Sequence, residues 1–124
     1  MRLLLIDDNK EITEAIGEYC KLAKDKDLDC QVINEGKEGL ESIRNKEFDL
    51  IKLDLAMPEF TGLDVIKSLQ QDGTIESKNI VIFTASSDRT MLAEIKNSGV
   101  KEVFKKPCSL DELVELIEKY RPRI

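Results

Sequence analysis

Short apolar runs alternate along this chain with longer stretches in which apolar residues recur every three or four positions. Five runs have strand length, at residues 2–6, 28–34, 48–54, 80–83 and 100–104. Leu50, Ile51, Leu53 and Leu55 form a near-continuous apolar series, the pattern of a parallel strand buried on both faces. Between the runs the period lengthens. Ile12, Ala15, Ile16, Tyr19, Cys20 and Ala23 predict a first amphipathic helix, closed by a charged turn at residues 24–27. Leu40 and Ile43 support a second helix to about Lys46, with Gly36 and Gly39 near its start. Leu63, Val65, Ile66 and Leu69 predict a third that ends near Gly73. Met91, Leu92 and Ile95 predict a fourth, capped by Ser87 or Asp88 and closed at Ser98-Gly99. Ser109-Leu110-Asp111-Glu112 reads as a capping box for a fifth, with Leu113, Leu116, Ile117 and Tyr120 on its inner face and Pro122 at its end. Five β-α alternations predict an α/β fold, a five-stranded parallel sheet with helices on both faces joined by right-handed crossovers.

Length adds that residues 1–124 suit one domain, and no linker, repeat or low-complexity segment divides them. The net charge of −6 repels phosphate backbones and anionic lipid, which argues against nucleic-acid or membrane partners. No apolar run approaches the ~20 residues of a membrane span. The apolar start Leu3-Leu4-Leu5-Ile6 meets Asp7-Asp8 before it reaches the length of a signal-peptide core, so a cytoplasmic location is expected. Cys20, Cys30 and Cys108 lack CxxC spacing and read as reduced packing residues. The chain contains no histidine. That excludes Ser-His-Asp and Cys-His nucleophile systems and histidine-containing zinc sites, and leaves acid–base work to carboxylates, Lys and Tyr.

Parallel strands all end on one side of their sheet, and ligands of open α/β sheets bind there. The first strand delivers Asp7 and Asp8 to that edge, the third Asp54, the fourth Thr84 and the fifth Lys106. Met57-Pro58 turns the chain after Asp54, because a residue before proline is biased away from helix. Three carboxylates in one crevice repel and call for a cation; hard oxygen donors suit Mg²⁺, which uses one or two carboxylates together with substrate phosphate. A hydroxyl and a mobile ammonium complete the parts of a phosphoryl-transfer site. With no histidine or evident Ser/Cys system, the natural nucleophile is a carboxylate, able to form an aspartyl phosphate.

In these motifs, namely Asp7-Asp8, Asp54 with Met57-Pro58 and Gly62, Thr84-Ala85, and Lys106-Pro107, the sequence resembles the receiver domains of two-component response regulators, particularly stand-alone chemotaxis-type regulators. The resemblance covers nearly the whole chain. It implies the strand order 2-1-3-4-5 and a flavodoxin-like three-layer sandwich, an order the handedness and length of the crossovers alone do not fix. It implies that Asp54 accepts phosphate from a phosphohistidine on a histidine kinase or histidine phosphotransfer protein. Asp8, Asp54 and the backbone carbonyl of Ala56 would hold Mg²⁺, for which Mn²⁺ or Ca²⁺ could substitute in a crystal, with Asp7 acting mostly through water. Thr84 and Lys106 would bind the phosphoryl oxygens, and the face formed by the fourth helix, fifth strand and fifth helix would change shape for a target protein. The chain would be a signalling module that catalyses only its own phosphorylation and dephosphorylation, a monomer or a weak phosphorylation-dependent dimer. No DNA-binding or catalytic segment follows Tyr120, so its output would pass through another protein, or the chain is a receiver cut from a longer regulator.

Three positions depart from the family pattern. Val103 stands where the family carries Tyr or Phe three residues before its lysine, and Phe104, one residue on, faces the other way by strand parity. Lys52 replaces an apolar residue two before Asp54 and shares its face, so a carboxylate partner or a snorkelling stem is expected. Ala56 and Ser86, at positions that tune phosphate lifetime in the family, are both small. Rival readings are a flavodoxin-like FMN binder, disfavoured by Asp7-Asp8 where a phosphate loop would lie and by 5% aromatic content without Trp; an aspartyl-nucleophile phosphatase, disfavoured by Ala56 at the general-acid position; and a receiver-like adaptor that is never phosphorylated, disfavoured by the intact pocket.

Overall fold

The computed structural model describes residues 1–22, 28–107 and 109–122, apart from the side chains of Ile12, Cys20 and Leu22. The expected turn at 24–27, the inner-face role of Ala23, and the packing expected of Cys20 and Cys108 therefore lie outside the described residues. Five parallel strands, β1 (Arg2–Ile6), β2 (Asp29–Ile33), β3 (Leu50–Asp54), β4 (Ile80–Thr84) and β5 (Glu102–Lys105), stand in the order β2-β1-β3-β4-β5. Five α-helices follow them in turn: α1 (Lys10–Leu22), α2 (Gly36–Asn45), α3 (Gly62–Asp72), α4 (Arg89–Lys96) and α5 (Leu110–Tyr120).

Alternate strand residues feed two cores, one on each face of the sheet. Leu3, Leu5, Leu50, Val81 and Phe83 pack against Ile16 of α1 and Leu113, Leu116 and Ile117 of α5. Leu4, Ile6, Ile51, Leu53, Ile80 and Ile82 pack on the other side, against residues that include Leu40 and Ile43 of α2, Val65, Ile66 and Leu69 of α3, and Ile95 of α4. Each fully buried aliphatic side chain contributes roughly 1.5–3 kcal/mol of burial free energy. Such a sheet resists displacement, and groups at its ends have fixed positions.

Helix starts follow local chemistry. Asn9 opens α1, its Oδ1 accepting from Glu11 N at 3.1 Å. Thr61 and Asp64 form a reciprocal capping box on α3, which ends at Gly73 in the left-handed region (φ 72°) that glycine adopts without a Cβ penalty. Of the two residues expected to cap α4 it is Asp88, accepting from Met91 N at 3.1 Å. Ser109 caps α5 and accepts from Glu112 N at 3.1 Å.

Element ends shift by one or two residues from the sequence expectation. β5 begins at Glu102 because Lys101 N bonds Ile80 O outside the strand, at 2.8 Å. α4 stops at Lys96, and Gly99 follows with φ 112°. A short 3-10 helix, Ile75–Ser77, had no signal in the period and forms because Ile75 is buried beneath the α3–β4 connection. Ala15, expected on the inner stripe of α1, is exposed, since Ile16 takes the inward position. Parity holds on β5: Val103 packs against the α2-α3-α4 core, and Phe104 lies on the opposite face, stacked on Phe83 with ring centroids 5.1 Å apart.

Candidate functional site

Asp7, Asp8, Asp54, Thr84 and Lys106 all fall at the carboxyl edge of the sheet. Each follows or closes its strand, and the parallel register brings the ends together. One ligand oxygen from each of Asp7, Asp8 and Asp54 lies within 4.8 Å of the others. Asp7 and Asp54 are each 1% exposed and Thr84 is 4% exposed, whereas Asp8 faces solvent. Lys106, half-buried, reaches Asp54 Oδ1 at 2.9 Å and lies 3.7 Å from Asp7 Oδ2.

One local device fixes three of these side chains. Asp7 Oδ1 accepts from Asn9 N at 2.9 Å, Asp54 Oδ1 from Ala56 N at 3.3 Å, and Thr84 Oγ1 from Ser86 N at 3.1 Å. In each, the side chain at a strand end accepts the backbone N–H two residues on, the turn that Asp and Thr form readily. One oxygen of Asp7 is thereby used, and the other is left over. Asp7 Oδ2 is buried and accepts no hydrogen bond among the described residues. A buried, unsatisfied carboxylate oxygen is costly and asks for a partner.

Burial pushes the Asp54 carboxyl above its ordinary value; the Lys106 hydrogen bond opposes this, and the nearby Asp7 charge adds to it. Hard carboxylate oxygens, one orphaned and all convergent, fit a small divalent cation of the Mg²⁺ type.

The loop between β3 and α3 is held against the site by a close approach. A Cβ on Gly62 would lie 2.3 Å from the Asp54 carbonyl oxygen and 2.7 Å from Leu55 Cα, so only glycine lets α3 begin there. Within that loop Glu59 is a non-glycine residue at φ 65°. Two supporting residues escaped the sequence reading. Asn34, just after β2, donates from Nδ2 to the Asp7 carbonyl oxygen at 2.8 Å, and Thr13, buried on α1, lies 3.4 Å from the same amide. Asn34 carried the signal that found the others, a polar side chain directly after a strand.

Lys52 is 3% exposed, with its ammonium 3.8 Å from Asp7 Oδ2 and 4.5 Å from the Phe83 ring centroid. The carboxylate partner expected from sequence is thus Asp7. The stem does not reach water.

An open parallel sheet in this order, with an acidic crevice at its carboxyl edge, is a doubly wound α/β fold of the flavodoxin type. The sequence model described as "Response regulator receiver domain" matches residues 3–118, and the chain belongs to that family. It is 34% identical over 117 residues to transcriptional regulatory protein DltR of Streptococcus agalactiae, covering 94% of this chain and 50% of DltR, so the chain spans about half the length of that relative. Among solved structures, the receiver domain of Francisella response regulator 1452 superposes with a TM-score of 0.81 at 27% identity, covering 96% of this chain and 94% of the other. The Thermotoga maritima response regulator TrrA, solved in complex with Mg(2+)-BeF, superposes with a TM-score of 0.74 at 27% identity, covering 96% and 97% of the two chains. Receiver domains are signalling modules of two-component systems, not enzymes acting on external substrates. Among the described residues no helix is long and apolar enough to cross a membrane.

Proposed function

We propose that this chain is a phosphoacceptor receiver in which Asp54 takes a phosphoryl group from the phosphohistidine of a histidine kinase or phosphotransfer protein. The observation that carries the reading is the Asp7 oxygen buried without a hydrogen bond beside Asp54 and Lys106, in a crevice where three carboxylates face two ammonium groups. Asp7, Asp8, Asp54 and the Ala56 carbonyl would hold Mg²⁺, with Asp7 mainly through water. The ion, when bound, neutralises charge on the transferring phosphoryl oxygens.

The chain's own residues do the rest. The Ala56 N–H and the Lys106 ammonium both hold Asp54 Oδ1, which orients the carboxylate and leaves Oδ2 to attack phosphorus. As the O–P bond forms, the P–N bond to the donor imidazole breaks, and its electron pair returns to the ring. Lys106 then follows the charge onto the phosphoryl oxygens, where its three donors serve. The Thr84 hydroxyl, tied to Ser86 N in this state, would release it and turn toward the new anion. That pulls the loop leading into α4 and changes the α4–β5–α5 face presented to a target. With aliphatic Val103 at the switch position and Phe104 on the opposite face, stacked on Phe83, the shift runs through Thr84 and backbone rather than through an aromatic swing.

The test is incubation with acetyl phosphate and Mg²⁺ followed by intact mass. The wild type should gain one phosphoryl group and Asp54→Asn none. Equal labelling of both would refute the assignment.

A further inference from the structure

We propose that Lys52 is a resident counter-cation of the acidic crevice, a positioning residue that steadies Asp7 and weakens the site's hold on Mg²⁺. The inference rests on the metal-site reading above and adds a residue to it. Three observations carry it. First, Lys52 lies in the middle of the central strand, 3% exposed, so its charge cannot be relaxed by swinging into water. Second, its ammonium is cradled: Phe83 presents its ring at 4.5 Å, and that ring is itself held by stacking on Phe104 at 5.1 Å. A cation over a desolvated aromatic face is favourably placed. Third, the two ammonium groups nearest Asp7 Oδ2 are differently engaged. Lys106, at 3.7 Å, is hydrogen-bonded to Asp54 at 2.9 Å and is the one freed to follow a phosphoryl group. Lys52, at 3.8 Å, lies beyond hydrogen-bonding distance of Oδ2 and is enclosed beside Asp7, both side chains almost fully buried.

The consequence is electrostatic. A fixed positive charge beside three carboxylates does part of a metal ion's work before the ion arrives. It also repels the ion, and in a site of low effective dielectric such a repulsion changes affinity by about tenfold or more. The crevice is then assembled without metal and takes Mg²⁺ weakly.

The experiment compares Mg²⁺ binding to the full chain by calorimetry for wild type, Lys52→Met and Lys52→Arg. Lys52→Met, which keeps the stem volume and removes the charge, should bind Mg²⁺ about tenfold tighter or more. Its metal-free form should melt lower and gain more on adding Mg²⁺. Lys52→Arg should stay close to wild type. Unchanged or weaker Mg²⁺ affinity in Lys52→Met overturns the proposal. A wild-type measurement guards against a variant that does not fold: with ¹³Cε-labelled lysine, the Lys52 signal should shift on saturation with Mg²⁺, and an unmoved signal overturns the proposal equally. A wild type that binds no Mg²⁺ at all removes the metal-site reading itself, a failure distinguishable from Mg²⁺ binding that ignores Lys52.

Discussion

The two edges of the sheet use the same residue type for opposite ends. At the amino edge Asp49 is tied into the fold by its side chain and by both its main-chain groups. Its Oδ2 accepts from Arg2 N at 2.6 Å, its carbonyl from Asn79 Nδ2 at 3.0 Å, and its N–H donates to Arg2 O at 2.8 Å. At the carboxyl edge Asp7 is deeper in the protein yet keeps a carboxylate oxygen without a hydrogen bond. An aspartate beside a strand is thus not informative by itself. Asp49 and Asp7 each have one carboxylate oxygen engaged by backbone; what separates them is burial, since the second oxygen of half-buried Asp49 is not enclosed and that of Asp7 is. The amino edge stabilises the fold, and the carboxyl edge holds charge in readiness for a ligand.

The largest test of that contrast is Gly62→Ala. Its Cβ would press on the Asp54 carbonyl and Leu55, and overpacking of this kind costs roughly 1–3 kcal/mol. Urea unfolding should register that loss, and Mg²⁺ binding should weaken with it because the displaced backbone carries Asp54. Asp49→Ala, at the opposite edge, should lose about 0.5–1.5 kcal/mol, the net scale of one hydrogen bond, and leave Mg²⁺ affinity unchanged. A parallel loss of Mg²⁺ binding there would erase the distinction between the edges.

Asp54 should behave in the reverse sense to a structural carboxylate. Its pKa in the folded protein is raised, chiefly by burial, so the native state holds the proton more tightly than the unfolded chain. Without metal, stability should therefore fall as pH rises from the ordinary 3.8 through the higher native value. Asp54→Asn should remove that component and raise the urea midpoint of the metal-free protein near neutral pH. A lowered midpoint would show Asp54 to be a structural group like Asp49. The smallest effect is expected of Glu59→Gly. Relieving a left-handed backbone at φ 65° should add roughly 0.5–1 kcal/mol, measured by the same unfolding, with phosphoryl incorporation retained.

Much of the site was legible in the sequence because parallel strands share a direction. Once the apolar runs are identified, Asp7, Asp54, Thr84 and Lys106 must meet at one edge. Strand parity likewise placed Lys52 with Asp54 and separated Val103 from Phe104. The remainder depended on register and loop geometry, which periodicity does not encode. The Phe83 ring reaches Lys52 because β3 and β4 pair with Lys52 opposite Val81 and Asp54 opposite Phe83. Asn34 supports Asp7 because β2 pairs with β1 in the register that sets Ile33 opposite Ile6. The 3-10 turn at Ile75–Ser77 accompanies the burial of Ile75, and the left-handed Glu59 lies in the loop between β3 and α3; no local propensity signals either.

Thermal unfolding of the wild-type chain across a Mg²⁺ titration tests most directly whether the carboxyl edge is built to be completed by a cation. A site of this kind should stabilise the protein progressively, by about 2.7 kcal/mol when Mg²⁺ reaches a hundred times its dissociation constant, and Asp54→Asn should blunt the rise. A melting temperature that ignores Mg²⁺ in the wild type, at ionic strength held constant, would contradict the account.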